Sequence, residues 1–271
     1  MFIKIYILTY NNNFVLNEWC LKTLFESDID DYNHQINILN NHSNLTIDDK
    51  YIDKVIIHNN NLRPDFSCGH IPRDWNSCLI DGFKNLNKPE CDIVICVQND
   101  EKFKKYWVKN LLKYHKKYNF ISFGSGDGFL SFLPESIKKI GLFDENFLCG
   151  KHEQDFFLRA YLYNKEKSSI NDYCHSYSIN MIENNIMERT LDGNDSEREN
   201  EAREVVKTYL NYQKPARIFF KKKWGKEHFY QEIKENNSKN LPSKPILDTV
   251  MLYPYFEKDV EDLHLKNYFQ Y

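Results

Sequence analysis

The apolar run Val94-Ile95-Cys96-Val97 stops in Gln98, Asn99 and Asp100, two amides and a carboxylate closing a segment that suits a strand buried on both faces. A carboxylate there either serves a ligand or caps the helix that follows. Three earlier apolar runs end the same way, in Thr9-Tyr10-Asn11, Asn40-Asn41-His42-Ser43 and His58-Asn59-Asn60. Open α/β sheets bind ligands at the carboxyl ends of their strands, so four such clusters in succession predict one polar edge. Arg73, just after Pro72, stands near a helix start, where a guanidinium suits a diphosphate or is simply a solvated charge. Further on, His152-Glu-Gln-Asp-Phe-Phe-Leu-Arg159 opens a helix with Glu153, while Asp155 and Arg159 have the i,i+4 spacing of an ion pair. His175, a lone histidine, reads as structural or as a ligand.

These residues need a frame, and the chain alternates the elements of one. Phe2 to Leu8, Gln35 to Leu39, Lys54 to Ile57 and Cys91 to Val97 read as strands. Between them, Asn13 to Ser27 carries Val15, Trp19, Leu21, Leu24 and Phe25 at helical spacing, and Trp75, Cys78, Leu79, Phe83 and Leu86 make an apolar helical face after Pro72. Strand and helix in turn predict an α/β fold, a mostly parallel central sheet flanked by helices. Trp107 to Lys116 and Pro134 to Ile140 read as helices, Phe120 to Phe123 as a strand and Gly124 to Gly128 as a flexible turn. Residues Asp195 to Asn211 form a charged amphipathic pattern, and beyond Gln213 the sequence turns irregular, basic and aromatic.

With 271 residues, 41% apolar and 15% aromatic, the chain can bury a proper core. A net charge of −3 gives no electrostatic footprint for nucleic acid as the main partner. Seven scattered cysteines without a C-x-x-C pair read as reduced thiols. The start lacks signal-peptide features and no apolar run reaches membrane-spanning length, so no transmembrane segment and a cytoplasmic location are expected.

Taken in order, ILTYNN, ILNNHS, IPRDWN, ICVQND, IGLFDENF and HEQDFFLR resemble the motif series of the family 2 glycosyltransferases, which have the GT-A fold. The resemblance covers roughly residues 1 to 180. It implies a donor that is a nucleotide-diphosphate sugar, an acceptor that is a glycan or another hydroxyl, and Mn²⁺ or Mg²⁺ as cofactor. Gln98-Asn99-Asp100 matches the family's DXD motif with only the last acid present, so Asp100 is the implied metal ligand and its affinity is weak and substrate-dependent. One carboxylate is sufficient in principle for a hard cation that also takes phosphate oxygens. Thr9, Tyr10, Asn11 and Asn40 match the nucleoside positions; Asn40 replaces the usual acid, which leaves the base open. Arg73 and Asn76 match an Arg-x-x-Asn helix start that touches the nucleotide, and Gln98 and Asn99 belong with them to the implied donor-binding set. Aligning Asp155-Phe-Phe-Leu-Arg159 with the family's Asp-x-x-x-Arg places Glu153 as the catalytic base, with Asp155 the second choice. His175 falls where several members hold metal or diphosphate. Asp144 and Glu145 read as an architectural turn. Phe219 to Phe229, FFKKKWGKEHF, resembles a Lys-Trp-Gly stretch that binds acceptor or packs on the core.

The expected organisation is a GT-A-like glycosyltransferase domain over residues 1 to 212 and a C-terminal extension, 213 to 271, packed on it. Two rivals stay open. A non-catalytic carbohydrate- or protein-binding module would keep the fold and lose the chemistry. A sugar nucleotidyltransferase would show a Gly-rich triphosphate loop after the first strand, which Leu8 to Asn13 lacks.

Overall fold

In the computed structural model, β1 (Phe2–Thr9) is the axis of the molecule. Its side chains alternate: Ile3, Ile5 and Ile7 enter one apolar cluster, while Tyr6 and Leu8 enter another. The description covers residues 1–9, 13–41, 45–59, 71–123, 127–147, 150–166, 173–174, 187–189, 213–229 and 240–247. β1 pairs in parallel with β2 (Asn33–Asn40) and with β4 (Ile93–Gln98), and β2 pairs in parallel with β3 (Ile56–Asn59). Thr9, Asn40 and Asn59 lie in register across three strands, and Leu8 lies opposite Gln98. The polar residues that end the apolar runs are thereby brought to one edge.

Beyond β4 the direction reverses. β7 (Phe129–Phe132) runs antiparallel to β4 and to β6 (Phe120–Phe123), and β8 (Tyr173–Cys174) completes the order β3-β2-β1-β4-β7-β6-β8. The α/β class and the mostly parallel sheet expected from the sequence are what the structure has. A short strand β5 (Glu101–Phe103) leaves the main sheet directly after Asp100 and pairs with β9 (Met187–Arg189).

One face of the sheet is covered by α3 (Ile71–Phe83), α5 (Pro134–Ile140) and α6 (His152–Glu166), whose apolar residues share a cluster with Tyr6, Val94, Cys96 and Phe132. The α3 helix comes so close to β4 at Gly82 that a Cβ there would run into Val94. The other face takes a π-helical stretch Val15–Leu21 that continues as α1 (Lys22–Phe25), with α2 (Asp49–Ile52) and α4 (Trp107–His115) near it. Buried Asn17 anchors the π-helical turns: its amide donates to Asn13 O and Thr46 O and its oxygen accepts from Asp48 N. The helix expected over Asn13 to Ser27 is there, wound more loosely at its start. Asp28 caps α4 from a distance, accepting from Val108 N and Lys109 N at 3.1 and 3.0 Å. Asp100 therefore is not needed as the cap of that helix.

A helix over residues 213–224, α7, joins the body through Ala216, Phe220 and Trp224, which pack on Phe147, Leu158 and Leu162. The amphipathic pattern at Asp195 to Asn211 lies outside the described residues.

Candidate functional site

The carboxyl ends of β3, β2, β1 and β4 are joined by their own side chains. Asn40 Nδ2 donates to Asn59 Oδ1 at 2.9 Å, and Asn41 N donates to Thr9 O at 3.2 Å. Asn99 Nδ2 donates to Thr9 Oγ1 at 3.2 Å, and Asn41 Nδ2 reaches Asp74 Oδ2 in the first turn of α3 at 3.1 Å. Arg73, half-buried, is the neighbour of that aspartate. Thr9, Asn40, Asn99 and Gln98 thus share one polar band. Tyr10 and Asn11 lie outside the described residues, as does His175.

The band continues through a residue that sequence reasoning passed over. Asp127, in the turn before β7, accepts from Gln98 Nε2 at 2.9 Å through Oδ1. Its Oδ2 accepts from Trp75 Nε1 at 2.8 Å and from His152 Nε2 at 2.9 Å. Three N–H donors from α3, β4 and α6 converge on one carboxylate, which satisfies an acceptor that is almost wholly buried. Asp127 therefore fixes the start of α6 against the end of β4, two residues before Asp100.

Glu153 is the next residue on α6. Its Oε2 stands 3.4 Å from His152 Nδ1 on the side of the imidazole away from Asp127. Among the described residues neither atom has a hydrogen-bond partner, although both are buried. Burial pushes the Glu153 carboxyl above the ordinary carboxylate range, helped by Asp127; His152, Lys151 and its own backbone N–H pull the other way without prevailing. Burial works against a charged His152, but the charges of Asp127, Glu153 and Asp155 outweigh it and raise its pKa. The approach to this pair is strained. Gly150 has φ 74° and Lys151, a residue with a Cβ, has φ 66°. Such a conformation costs of order 1 kcal/mol or more for a non-glycine residue and concentrates at functional sites.

Two residues expected at the site do not present their side chains to it. Asn76 is fully buried and its amide is committed to the frame, donating to Phe143 O and Glu145 Oε1 and accepting from Phe143 N. It ties α3 to the turn at 143–145 and is not placed to touch a nucleotide. Asp155, the second choice for base, has no exposed surface. Its Oδ2 accepts from Arg159 Nε at 3.0 Å and its Oδ1 from Trp224 Nε1 at 2.8 Å, with Lys223 Nζ at 2.7 Å. Lys223 also binds Asp144 Oδ2 at 2.7 Å, and Arg159 donates to Ile140 O and Leu142 O. This buried set of two acids and two bases joins α6, the Phe143–Phe147 turn and α7. The reason is position: residue 155 lies two residues, about 200°, around α6 from residue 153, and its side chain meets Trp224 and Lys223 of α7, not the strand ends. The Asp144 turn is architectural, as read, and Trp224 packs on the core.

Among the described residues no group of three or more His, Cys, Asp and Glu could hold a metal ion. Asp100 lies partly buried in the turn where β4 ends. One carboxylate fits a hard cation only where the remaining ligands are water and the substrate's own phosphates.

Searched against family models and against curated proteins, the chain matches none. Among solved structures it is similar to S. aureus TarS, with 14% identity and a TM-score of 0.44 over 69% of this chain and 36% of that one. The chain is also similar to solved glycosyltransferases. A mannosyltransferase from Pyrobaculum calidifontis in complex with GDP-Man and Mn²⁺ has 11% identity and a TM-score of 0.43, over 64% of this chain and 54% of its own. Glucosyl-3-phosphoglycerate synthase from Mycobacterium tuberculosis, with Mn²⁺, UDP and phosphoglyceric acid, has 13% identity and a TM-score of 0.41 over 78% of both chains. The chain thus spans about half or less of the first two. These likenesses are distant, and the functional reading rests on the chain's own residues. No helix among the described residues is long and apolar enough to cross a membrane.

Proposed function

We propose that this chain is a GT-A-type glycosyltransferase that moves a hexose or deoxyhexose from a nucleotide-diphosphate sugar to a hydroxyl of a glycan or other acceptor, with inversion and with a divalent cation. The observation that carries the reading is the hydrogen-bonded band from Asn40 and Thr9, through Asn99, Gln98 and Asp127, to His152 beside Glu153. It sets neutral donors and acceptors suited to a nucleoside at one end and a carboxylate suited to a base at the other.

In this reading Thr9, Asn40, Gln98 and Asn99 seat the nucleotide, with Arg73 toward the diphosphate, and Asp100 holds Mn²⁺ or Mg²⁺. The cation, when bound, offsets charge that develops on the leaving diphosphate. Glu153 takes the proton from the acceptor hydroxyl. The hydroxyl oxygen then bonds to the anomeric carbon as the bond from that carbon to the diphosphate oxygen breaks, and attack from the opposite face inverts the centre. A raised carboxyl pKa suits a base that works near neutrality.

A second reading, a non-catalytic carbohydrate- or protein-binding module, is favoured by the single acid in Gln98-Asn99-Asp100. One experiment separates the two. Purified protein is melted with UDP-, GDP- and dTDP-sugars, with and without Mn²⁺, and sugar transfer or donor hydrolysis is followed. A donor at 100 times its dissociation constant should add about 2.7 kcal/mol of stability, and Asp100→Ala should remove the Mn²⁺-dependent part. No shift with any donor, and no turnover, refutes the transferase reading.

A further inference from the structure

We propose that His152 is a positioning residue for Glu153: held by Asp127, it shares one proton with the glutamate, so that the two side chains work as a single base. The proposal rests on the glycosyl-transfer reading for its use, but the geometry stands without it.

Asp127 fixes the state of the ring. Trp75 Nε1 donates to one carboxyl oxygen of Asp127 and Gln98 Nε2 to the other, and both bonds favour the ionised acid, which can only accept. His152 Nε2 therefore carries a hydrogen, which fixes the orientation of the ring. The ring is further held by Phe143, edge to face at 6.2 Å between centroids. Nδ1 is then the atom with freedom to gain or lose a proton, and it looks at Glu153 Oε2 across 3.4 Å.

Two buried lone pairs at that distance repel, and no other hydrogen-bond partner is provided for either atom among the described residues. A single proton between them removes the conflict, whether it rests on nitrogen or on oxygen. With the proton on Nδ1 the imidazolium sits between Asp127 and Glu153, keeping the glutamate ionised in a place where burial alone would neutralise it. The acceptor's proton then adds to Glu153 while His152 keeps its own. After the sugar has moved, the pair releases one proton and returns to its starting state.

Among the described residues the charged groups around the pair are few. Lys151 and Asp155 stand on the same segment and helix, and Asp127 faces the ring from the turn before β7; Trp75 from α3 and Gln98 from β4 are neutral.

The test uses two readouts. First, the His152 imidazole is titrated by NMR in the full chain, its signal assigned by its loss in His152→Gln, and the titration is repeated in Glu153→Gln. Coupling predicts that the His152 midpoint falls by about one pH unit or more when the glutamate charge is removed. An unchanged midpoint near the ordinary histidine value of about 6.5 overturns the proposal. Second, the pH profile of kcat/KM is measured for the wild type and His152→Gln. Loss of the imidazolium should move the acid limb up by about 1–3 pH units, whereas a merely structural histidine would lower the rate and leave the limb in place. If His152→Gln does not fold, the Glu153→Gln titration decides. Coupled titration in a protein that transfers no sugar would uphold the shared proton and sink the transferase reading instead.

Discussion

Asp155→Asn should cost stability and leave the chemistry intact. The wild-type set of Asp144, Asp155, Arg159 and Lys223 is neutral, and all four side chains are buried. The substitution removes one negative charge from the set, while Lys223 keeps Asp144 and Arg159 keeps the Ile140 and Leu142 carbonyls. An uncompensated buried charge costs about 3–5 kcal/mol, a large part of the roughly 5–15 kcal/mol that a domain has. With a urea dependence of about 3 kcal/mol per molar, the unfolding midpoint should fall by about 1–1.7 M at unchanged slope. The assay is urea unfolding followed by tryptophan fluorescence, since Trp224 is hydrogen-bonded to Asp155 and buried against the same cluster. Adding Lys223→Met restores neutrality, so the double variant should lose less than the sum of the singles, by about 0.5–3 kcal/mol. Turnover per folded molecule should stay within a few-fold of wild type. A midpoint that moves by less than about 0.3 M, together with a hundred-fold loss of turnover, would refute this assignment and return Asp155 to the chemistry.

Glu153→Gln should do the reverse, lowering turnover by about 10²–10⁴-fold while sparing donor binding. The folded protein holds the Glu153 proton more tightly than the unfolded chain does, so the stability this contributes is complete below pH about 4.5 and is lost as pH rises through the raised value. The variant should therefore gain on wild type in urea melts run at pH 8 compared with pH 5. His115 has the opposite sign. Burial holds its imidazole down to about 4, only partly opposed by the Tyr118 carbonyl, while Nδ1 donates to that carbonyl and Nε2 accepts from Ser131 Oγ. Its stability is complete above pH about 6.5 and is lost as pH falls toward about 4, at most about 3 kcal/mol; His115→Gln should flatten that stretch of the stability–pH curve. Gly82→Ala should cost about 1–3 kcal/mol, because the added methyl meets Val94 and α3 must lift from β4; a change below 0.5 kcal/mol in a urea melt would show that the helix is free to move.

The parts of this molecule that were legible in sequence are those whose pattern is local. β1 and β4 read correctly because alternate residues enter two apolar clusters, so nearly every position is apolar; α3 read correctly because Trp75, Cys78, Leu79 and Phe83 repeat at helical spacing. β7 did not, since Phe-Leu-Ser-Phe beside a glycine turn is too short for any period to declare itself, and its partners β4 and β6 are fixed by tertiary contact. Asp127 failed for the same reason. Its partners lie 25, 29 and 52 residues away, so nothing beside it in sequence distinguishes it from a turn aspartate. The neighbouring error at Asn76 is instructive: the motif put an amide in the right place, and the fold spent its hydrogen bonds on Phe143 and Glu145. A usable signal did exist at His152. A histidine directly before the acid that opens a helix, in a segment whose following residues Phe156, Phe157 and Ala160 are buried, must itself be buried with its ring nitrogens. Buried nitrogens require partners, and Asp127 meets one of them while its carboxylate also accepts from Gln98 at the end of β4 and from Trp75 on α3.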